Sequence, residues 1–397
     1  MRSRAGSPTC LPTNRDCWQF VGGSKTPPYL PILFHPMKKL LSITLIFVVS
    51  LGLTTSCSTI ASPVKTLDVY WIDSEGGGST LIVTPNDESV LIDTGNPGGR
   101  DPSRIVAVAK AAGLAKIDYV LLTHFHGDHF GGGAEVAQQI PVGTIYQRTI
   151  PAGDPDGRAQ SSFQTQIKGW RDIPAKRETL TPGIVVPLKP VAGAPTLELR
   201  CIYADQKIIA PTAEQMKVTN PLTGTGTLKE PDPSDNANSA GFVLALGAFR
   251  FFDGGDLTWN IEEKVVTPHN VAGGVDVYQT NHHGQENSNN PLFVKSLAPT
   301  VVVMNNGPRK GGQAGAFAAI RGTASVKALY QVHKSYLAPA EANAPAEFIA
   351  NVDDLRGAEA LKCPANLIKM SVAPDGKSYT ISIPANGHSR TYQTTAK

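Results

Sequence analysis

Cysteine is scarce in the body of this chain: after Cys57 only Cys201 and Cys363 remain. No disulfide framework can therefore hold the fold, and a single Cys201–Cys363 bridge or two free thiols are both open. Charge of one sign is lacking as well. The whole chain carries +3, yet residues 1–60 hold six cations (Arg2, Arg4, Arg15, Lys25, Lys38, Lys39) against Asp16, which leaves −2 for everything after them. A near-neutral body gives no general electrostatic reason to bind nucleic acid, although a local basic groove is compatible with it. The apolar run Leu40 to Leu53 has 14 residues, short for a membrane span. No Ser-His-Asp or Cys-His arrangement stands out. Gly76-Gly77-Gly78 lacks the Lys-Ser/Thr and following helix of a phosphate loop.

What is present begins with a leader. Met37-Lys38-Lys39 followed by Leu40 to Leu53 has the form of a secretory signal, two charges and then an apolar core. On this reading residues 1–36 are an upstream extension, 37–61 the signal peptide, and the body is exported to the periplasm or beyond. Two cleavage sites compete. Leu53-Thr54-Thr55-Ser56-Cys57 resembles a lipoprotein box with Leu one place too far from the cysteine, which would put a lipid on Cys57 as the only membrane attachment. Thr59-Ile60-Ala61 suits an ordinary signal peptidase.

Histidine is concentrated. Of eight after residue 60, five lie in two short stretches, 124–129 and 282–283. The apolar run Ile117 to Leu122 reads as a buried strand that ends in Thr123-His124-Phe125-His126-Gly127-Asp128-His129. Such a strand presents these side chains at a sheet edge. His124 and His126, two residues apart, point the same way from extended backbone. Asp128 and His129, past the Gly127 turn, face a second point. That is a ligand supply for two adjacent divalent ions. Neutral imidazole and carboxylate suit zinc first, with manganese or iron also accepted. A His-rich surface loop is the bland alternative, and it leaves the second cluster without an explanation.

Around this stretch, Leu67 to Ile72, Ser79 to Thr84 and Ser89 to Ile92 read as strands, the last ending in Asp93-Thr94-Gly95. Pro102 to Ala112 has helical spacing, with Asp101 as N-cap and Gly113 as stop. Residues 148–195 read as an insertion beside the site's mouth, with a helix around Ser161 to Trp170. Its Phe163 and Trp170 either line a pocket or anchor the insertion. In the second half, the hairpin Ala240 to Phe252 ends in Asp253-Gly254-Gly255-Asp256. The strand Val275 to Gln279 ends in Asn281-His282-His283-Gly284. Thr300 to Met304 and Val326 to Val332 follow as strands. Leu367 to Val372 and Ser378 to Ile383 form a hairpin about Pro374-Asp375-Gly376. His269 and His388 read as surface residues, while His333 follows a late strand.

The run His-x-His-x-Asp-His at 124–129, preceded by Asp93 and followed by Asp256 and His282, resembles the metallo-β-lactamase superfamily over roughly 66–335. The resemblance implies an α/β (α+β) fold, an αββα sandwich with metals at one sheet edge. It implies a hydrolase domain over 62–335 and an extension over 336–397 that forms a small C-terminal β appendage. It further implies His124, His126 and Asp256 at a first metal, and Asp128, His129, Asp256 and His282 at a second. Asp256 bridges the two, with Asp253 as its rival, and His283 faces substrate or packs. Asp93 braces the loop without ligating, and Asp128 also orients the nucleophile and shuttles its proton.

One family part is missing. The family supplies a third histidine to the first metal, yet this chain has none between His129 and His269. Asp235-Asn236-Ala237-Asn238-Ser239 stands in its place, with Asn238 or Ser239 as a substrate-binding candidate. This departure resembles the hydrolase domain of ComEC-like competence proteins. The implied activity is hydrolysis of phosphodiesters by a metal-activated hydroxide, since two close divalent ions lower the pKa of water from about 15.7 to about 7. An ester or lactone hydrolase, or a non-catalytic binding module on the same fold, are the alternatives.

Overall fold

In the strand Leu67–Trp71, Leu67, Val69 and Trp71 are buried while Asp68 and Tyr70 are half-buried. This period of two gives a strand one apolar face, and here the face looks between two sheets. The computed structural model describes residues 64–395; the leader, its cleavage sites and Cys57 lie outside the described residues. The first sheet runs 388–393, 378–383, 368–372, 67–71, 80–83, 89–92, 117–121, 142–147, 176–179 from edge to edge. The second runs 349–351, 328–333, 301–304, 277–279, 249–253, 241–246, 197–204, 207–208.

Alternate residues of each strand serve different layers. Ile82, Val90, Ile92 and Leu121 join Leu244, Phe251, Val277 and Val303 in the core between the sheets. Their neighbours Leu81, Leu91 and Val120 face outward and pack under the helices Arg100–Ala111, Gly133–Gln139 and Phe163–Arg171. The second sheet does the same with the helices Trp259–Val266, Pro291–Leu297 and Ala314–Arg321. The architecture is thus helix, sheet, sheet, helix. Gln279 ties the two sheets through the core, accepting from Trp71 Nε1 at 2.6 Å and Thr80 Oγ1 at 2.8 Å.

The site's position follows from strand direction. Strands 89–92, 117–121 and 142–147 are parallel, as are 249–253, 277–279, 301–304 and 328–333. Loops leaving the carboxyl ends of parallel strands emerge at one edge, where open sheets bind ligands. Asp93, the stretch 123–132, Asp256, and the loops 281–284 and 305–313 all leave such ends.

Two segments depart from the sequence reading, and the insertion takes one of its two alternatives. The C-terminal strands continue the first sheet, because Ile368–Val372 pairs antiparallel with Leu67–Trp71 over five residues. The helix beginning at Arg100 puts Asp101 inside its first turn, not at the cap. There Asp101 Oδ2 accepts from Asn96 N at 2.7 Å. In the insertion, Phe163 and Trp170 are anchors, buried with Phe130 beneath the first sheet's helices. Cys201 and Cys363 are both free thiols.

Candidate metal centre

Three imidazoles of the first cluster each have one nitrogen fixed by an outer partner. His129 Nδ1 donates to Asp93 Oδ2 at 2.6 Å. Asp93 also accepts from Thr123 N at 2.8 Å and Thr123 Oγ1 at 2.7 Å, which locks the start of the loop. His126 Nε2 donates to the Asp156 carboxylate, with its oxygens at 2.9 and 3.0 Å. His124 Nδ1 lies 3.0 Å from Thr123 Oγ1 and 3.3 Å from Ser239 Oγ. An outer carboxylate or hydroxyl sets the tautomer and leaves the opposite nitrogen as a lone-pair donor.

The opposite nitrogens of His129 and His124 gather round Asp256, joined by His282 and His283; His126, whose Nε2 is on Asp156, is not among them. Asp256 Oδ2 is 3.3 Å from His129 Nε2, 3.4 Å from His282 Nε2 and 3.9 Å from His124 Nε2. Its Oδ1 is 3.3 Å from His283 Nε2. Asp128 Oδ2 lies 3.4 Å from His129 Nε2 and 3.7 Å from His283 Nε2. Asp128, His129, Asp256 and His283 offer one ligand atom each, all within 4.8 Å of one another.

The donors are buried and unmatched. Among the described residues, His124 Nε2, His129 Nε2, His283 Nε2 and Asp256 Oδ1 have no hydrogen-bond partner. Unmatched buried polar atoms are costly, and nitrogen and carboxylate lone pairs converging on one point fit a divalent cation. The electrostatics agree with that fit. Burial opposes the charged form of Asp256, but His129, His283 and His282 outweigh it and hold the carboxyl well below its ordinary range. Burial drives the His129 imidazolium to lose its proton, but Asp256, Asp128 and Asp93 hold its pKa well above the ordinary value. A metal would replace that proton in the same field. His124 goes the other way, lowered by burial first and then by His129 and His126.

Several assignments sit differently from the sequence reading. That reading leaves His282 or His283 open as the strand-end ligand and prefers His282; the structure groups His283 with Asp128, His129 and Asp256, while His282 approaches the same Asp256 Oδ2 as His129 and His124. The physical reason is the backbone: both residues are left-handed, at φ 51 and 55, so the two rings do not leave the chain as an extended strand end would send them. Asn238 spends its side chain on Asp235 and Gln206, each at 2.9 Å. Asn236 instead faces the centre, its Nδ2 3.4 Å from His282 Nε2. Asp253 is buried, its Oδ1 accepting from Gly255 N at 3.0 Å, and burial first, with Asp93 adding, pushes its carboxyl up to about 7. His333 is engaged elsewhere, donating to Asp73 Oδ1 at 2.8 Å.

The segment standing in for the third histidine acts as a brace. Asp235 Oδ2 accepts from Phe125 N, between His124 and His126, at 2.7 Å. Its other oxygen pairs with Arg148, and its own N–H donates to Asp156 at 2.8 Å. Asp156 and Lys310, which pairs with Asp128, are absent from the sequence reading, and Asp235 enters it only as a member of the segment 235–239. Only Lys310 carries a signal that pointed here, as a cation just past the carboxyl end of a buried strand. In front of Asp128 lies a cleft of about 570 Å³, lined among others by Asp154, Arg158, Ser161, Ser162 and Gln166.

Residues 73–196 match the family model described as the metallo-beta-lactamase superfamily. The chain is 38% identical over 86 residues to a UPF0173 metal-dependent hydrolase of Cupriavidus metallidurans, a match covering 20% of this chain and 26% of that one. It is 37% identical over 82 residues to another such hydrolase, from Thermodesulfovibrio yellowstonii, covering 20% and 29%. The chain thus spans under a third of the length of the curated relatives it matches. Among solved structures it is similar to the metallo-beta-lactamase fold protein YhfI from Bacillus subtilis, with 13% identity and a TM-score of 0.39 over 67% of this chain and 96% of that one.

Proposed function

We propose, for a chain that carries a metallo-beta-lactamase superfamily domain, an exported binuclear metal-dependent hydrolase acting on phosphodiesters. The observation that carries this reading is the set of buried, unpartnered donor atoms around Asp256. Leaving such atoms unmatched costs about 1–3 kcal/mol each, and two cations would satisfy them together. Asp128, His129 and His283 would hold one ion with Asp256; His124, His126 and His282 would hold the other. Zinc suits these donors first, with manganese or iron acceptable. Bound there, the pair supplies Lewis acidity and hydroxide at neutral pH.

The chain's own residues do the rest. Asp128 lines the cleft, where it orients the attacking water and takes its proton. Asp93 and Asp156 keep the His129 and His126 rings aimed. The hydroxyl, amide and guanidinium groups of the cleft favour a polar substrate. Phosphodiester is chosen over ester or lactone because of the ComEC-like segment 235–239. Export, and a lipid on Cys57 as an alternative anchor, rest on the Met37-Lys38-Lys39 leader.

The test is metal content by elemental mass spectrometry on protein starting at residue 62, reconstituted with zinc or manganese, beside hydrolysis of bis(p-nitrophenyl) phosphate. About two ions, with turnover lost in His126→Ala, is the expected result. Two ions with turnover only of p-nitrophenyl acetate or a lactone would move the substrate class. No bound metal would sink the hydrolase and leave a binding module.

A further inference from the structure

The loop between the strand Val301–Met304 and the helix Ala314–Arg321 brings the Lys310 ammonium onto the Asp128 carboxylate. We propose that Lys310 is the substrate-recognition residue of this centre, binding an anionic oxygen of the substrate. The inference rests on the hydrolase reading above, and that reading makes the anion a phosphoryl group.

The loop is built to hold this lysine. Gly307 N donates to Lys310 O at 2.8 Å, and Gly312 N and Gln313 N donate to His283 O and Gly284 O, each at 2.9 Å. The Lys310 stem lies against Gly76: a Cβ there would sit 2.8 Å from Lys310 Cβ and 3.0 Å from its Cγ, on a backbone at φ +92. The glycine turn 76–78, which is no phosphate loop, thus makes room for the lysine beside the metal ligands. The neighbouring Arg309 is committed elsewhere, to Asp354 at 2.8 Å and to the Tyr336 ring.

The pair with Asp128 is not reason enough for this scaffold. The Lys310 side chain is 40% exposed, and solvent screens an ion pair with one partner so exposed. Moreover, Asp128 Oδ2, the oxygen the ammonium holds, also lies 3.4 Å from His129 Nε2 and 3.7 Å from His283 Nε2. A divalent ion held by those nitrogens would claim it and repel the ammonium. Two such ions also more than neutralise Asp93, Asp128 and Asp256. The displaced lysine then stands beside Asp128, which lines the cleft, next to that positive charge, and an anionic oxygen is what satisfies both.

The experiment titrates inorganic phosphate calorimetrically into zinc-loaded wild type, Lys310→Ala and Lys310→Arg, with zinc content measured on the same samples. Lys310→Ala is expected to weaken phosphate at least about tenfold, or 1.4 kcal/mol, with zinc content unchanged, and Lys310→Arg to recover most of it. With bis(p-nitrophenyl) phosphate the alanine variant should raise KM more than it lowers kcat. Titration needs no turnover. A protein inert to phosphodiesters that still shows the phosphate difference would retire the phosphodiesterase reading and keep Lys310. Equal phosphate affinity in wild type and Lys310→Ala, or no phosphate binding by wild type, would overturn the proposal. So would loss of zinc in the alanine variant, which would make Lys310 a brace for Asp128.

Discussion

In the loop 124–129 every imidazole has a side-chain partner on one nitrogen: Asp93 for His129, Asp156 for His126, and Thr123 with Ser239 for His124. In the loop 281–284 that arrangement is missing. His283 has no hydrogen bond on either nitrogen, and His282 has none on Nδ1. Their rings are aimed by backbone, two consecutive non-glycine residues at φ 51 and 55. Such conformations cost about 1–3 kcal/mol each and persist only where the surroundings over-determine them. Here Gly311 and Gly312 pack against the His283 backbone, and Glu262 clamps the loop from behind. The first half is tuned by side chains and can be weakened in steps. The second is fixed by packing, so a change there disturbs stability and metal together.

The largest effect should come from the residue both halves share. Asp256→Asn removes the carboxylate that approaches His129, His282 and His283 within 3.4 Å. Metal content by elemental mass spectrometry should drop from about two ions to below one, with turnover down at least ~10²-fold. Retention of one full equivalent would assign Asp256 to one half only and break the comparison at its pivot.

A paired experiment then separates the two mechanisms. Asp93→Asn weakens the brace on His129 with little change of size, and should lower metal affinity about 10–100-fold at unchanged unfolding temperature. Gly284→Ala acts on backbone. Its φ is +83, and the added Cβ would meet Met304 Cε and Sδ at 3.0 Å and Gly312 N at 3.1 Å. It should lose about 1–3 kcal/mol of stability in urea unfolding, and metal affinity with it. Metal loss at full stability in Gly284→Ala would mean that packing does not fix the second half.

The same contrast explains what the sequence could disclose. The alternation in 67–71 and the apolar runs in 89–92 and 117–121 are local, so the sandwich was legible. The candidate ligands of 124–129 sit within six residues on one strand end, so their grouping was legible too. Their braces were not: Asp156 and Asp235 arrive from 30 and 110 residues away, out of irregular loops where an aspartate looks like any turn former. The His282 and His283 assignment was hidden for another reason. Reading a strand end assumes extended backbone, and two left-handed residues void that assumption. Asn238 gave way to Asn236 because a short 3₁₀ turn, Asp235–Asn238, rotates the segment.

The smallest predicted effect tests the clamp behind the second half. Glu262 is fully buried and accepts from Asn281 Nδ2 at 2.6 Å, Asn289 N at 2.8 Å and Asn290 N at 2.6 Å. Burial outweighs these donors and raises its carboxyl from 4.5 to about 7. A carboxyl raised in the folded state contributes stability that is whole below the unfolded value and lost as pH climbs through the folded one. Metal-free protein should therefore lose on the order of 2 kcal/mol between pH 5 and pH 8 from this group. Glu262→Gln, which stays uncharged, should flatten that part of the profile in urea unfolding. Asp128 adds nothing in this window, because it is held well below its ordinary range, with His129 leading the forces that overcome burial; Asp253, raised to about 7, titrates beside Glu262, so the Gln variant should remove only the Glu262 share of the slope. An undiminished slope in Glu262→Gln would place the titration elsewhere and leave the strained histidine pair held by the glycines of 311–312 alone.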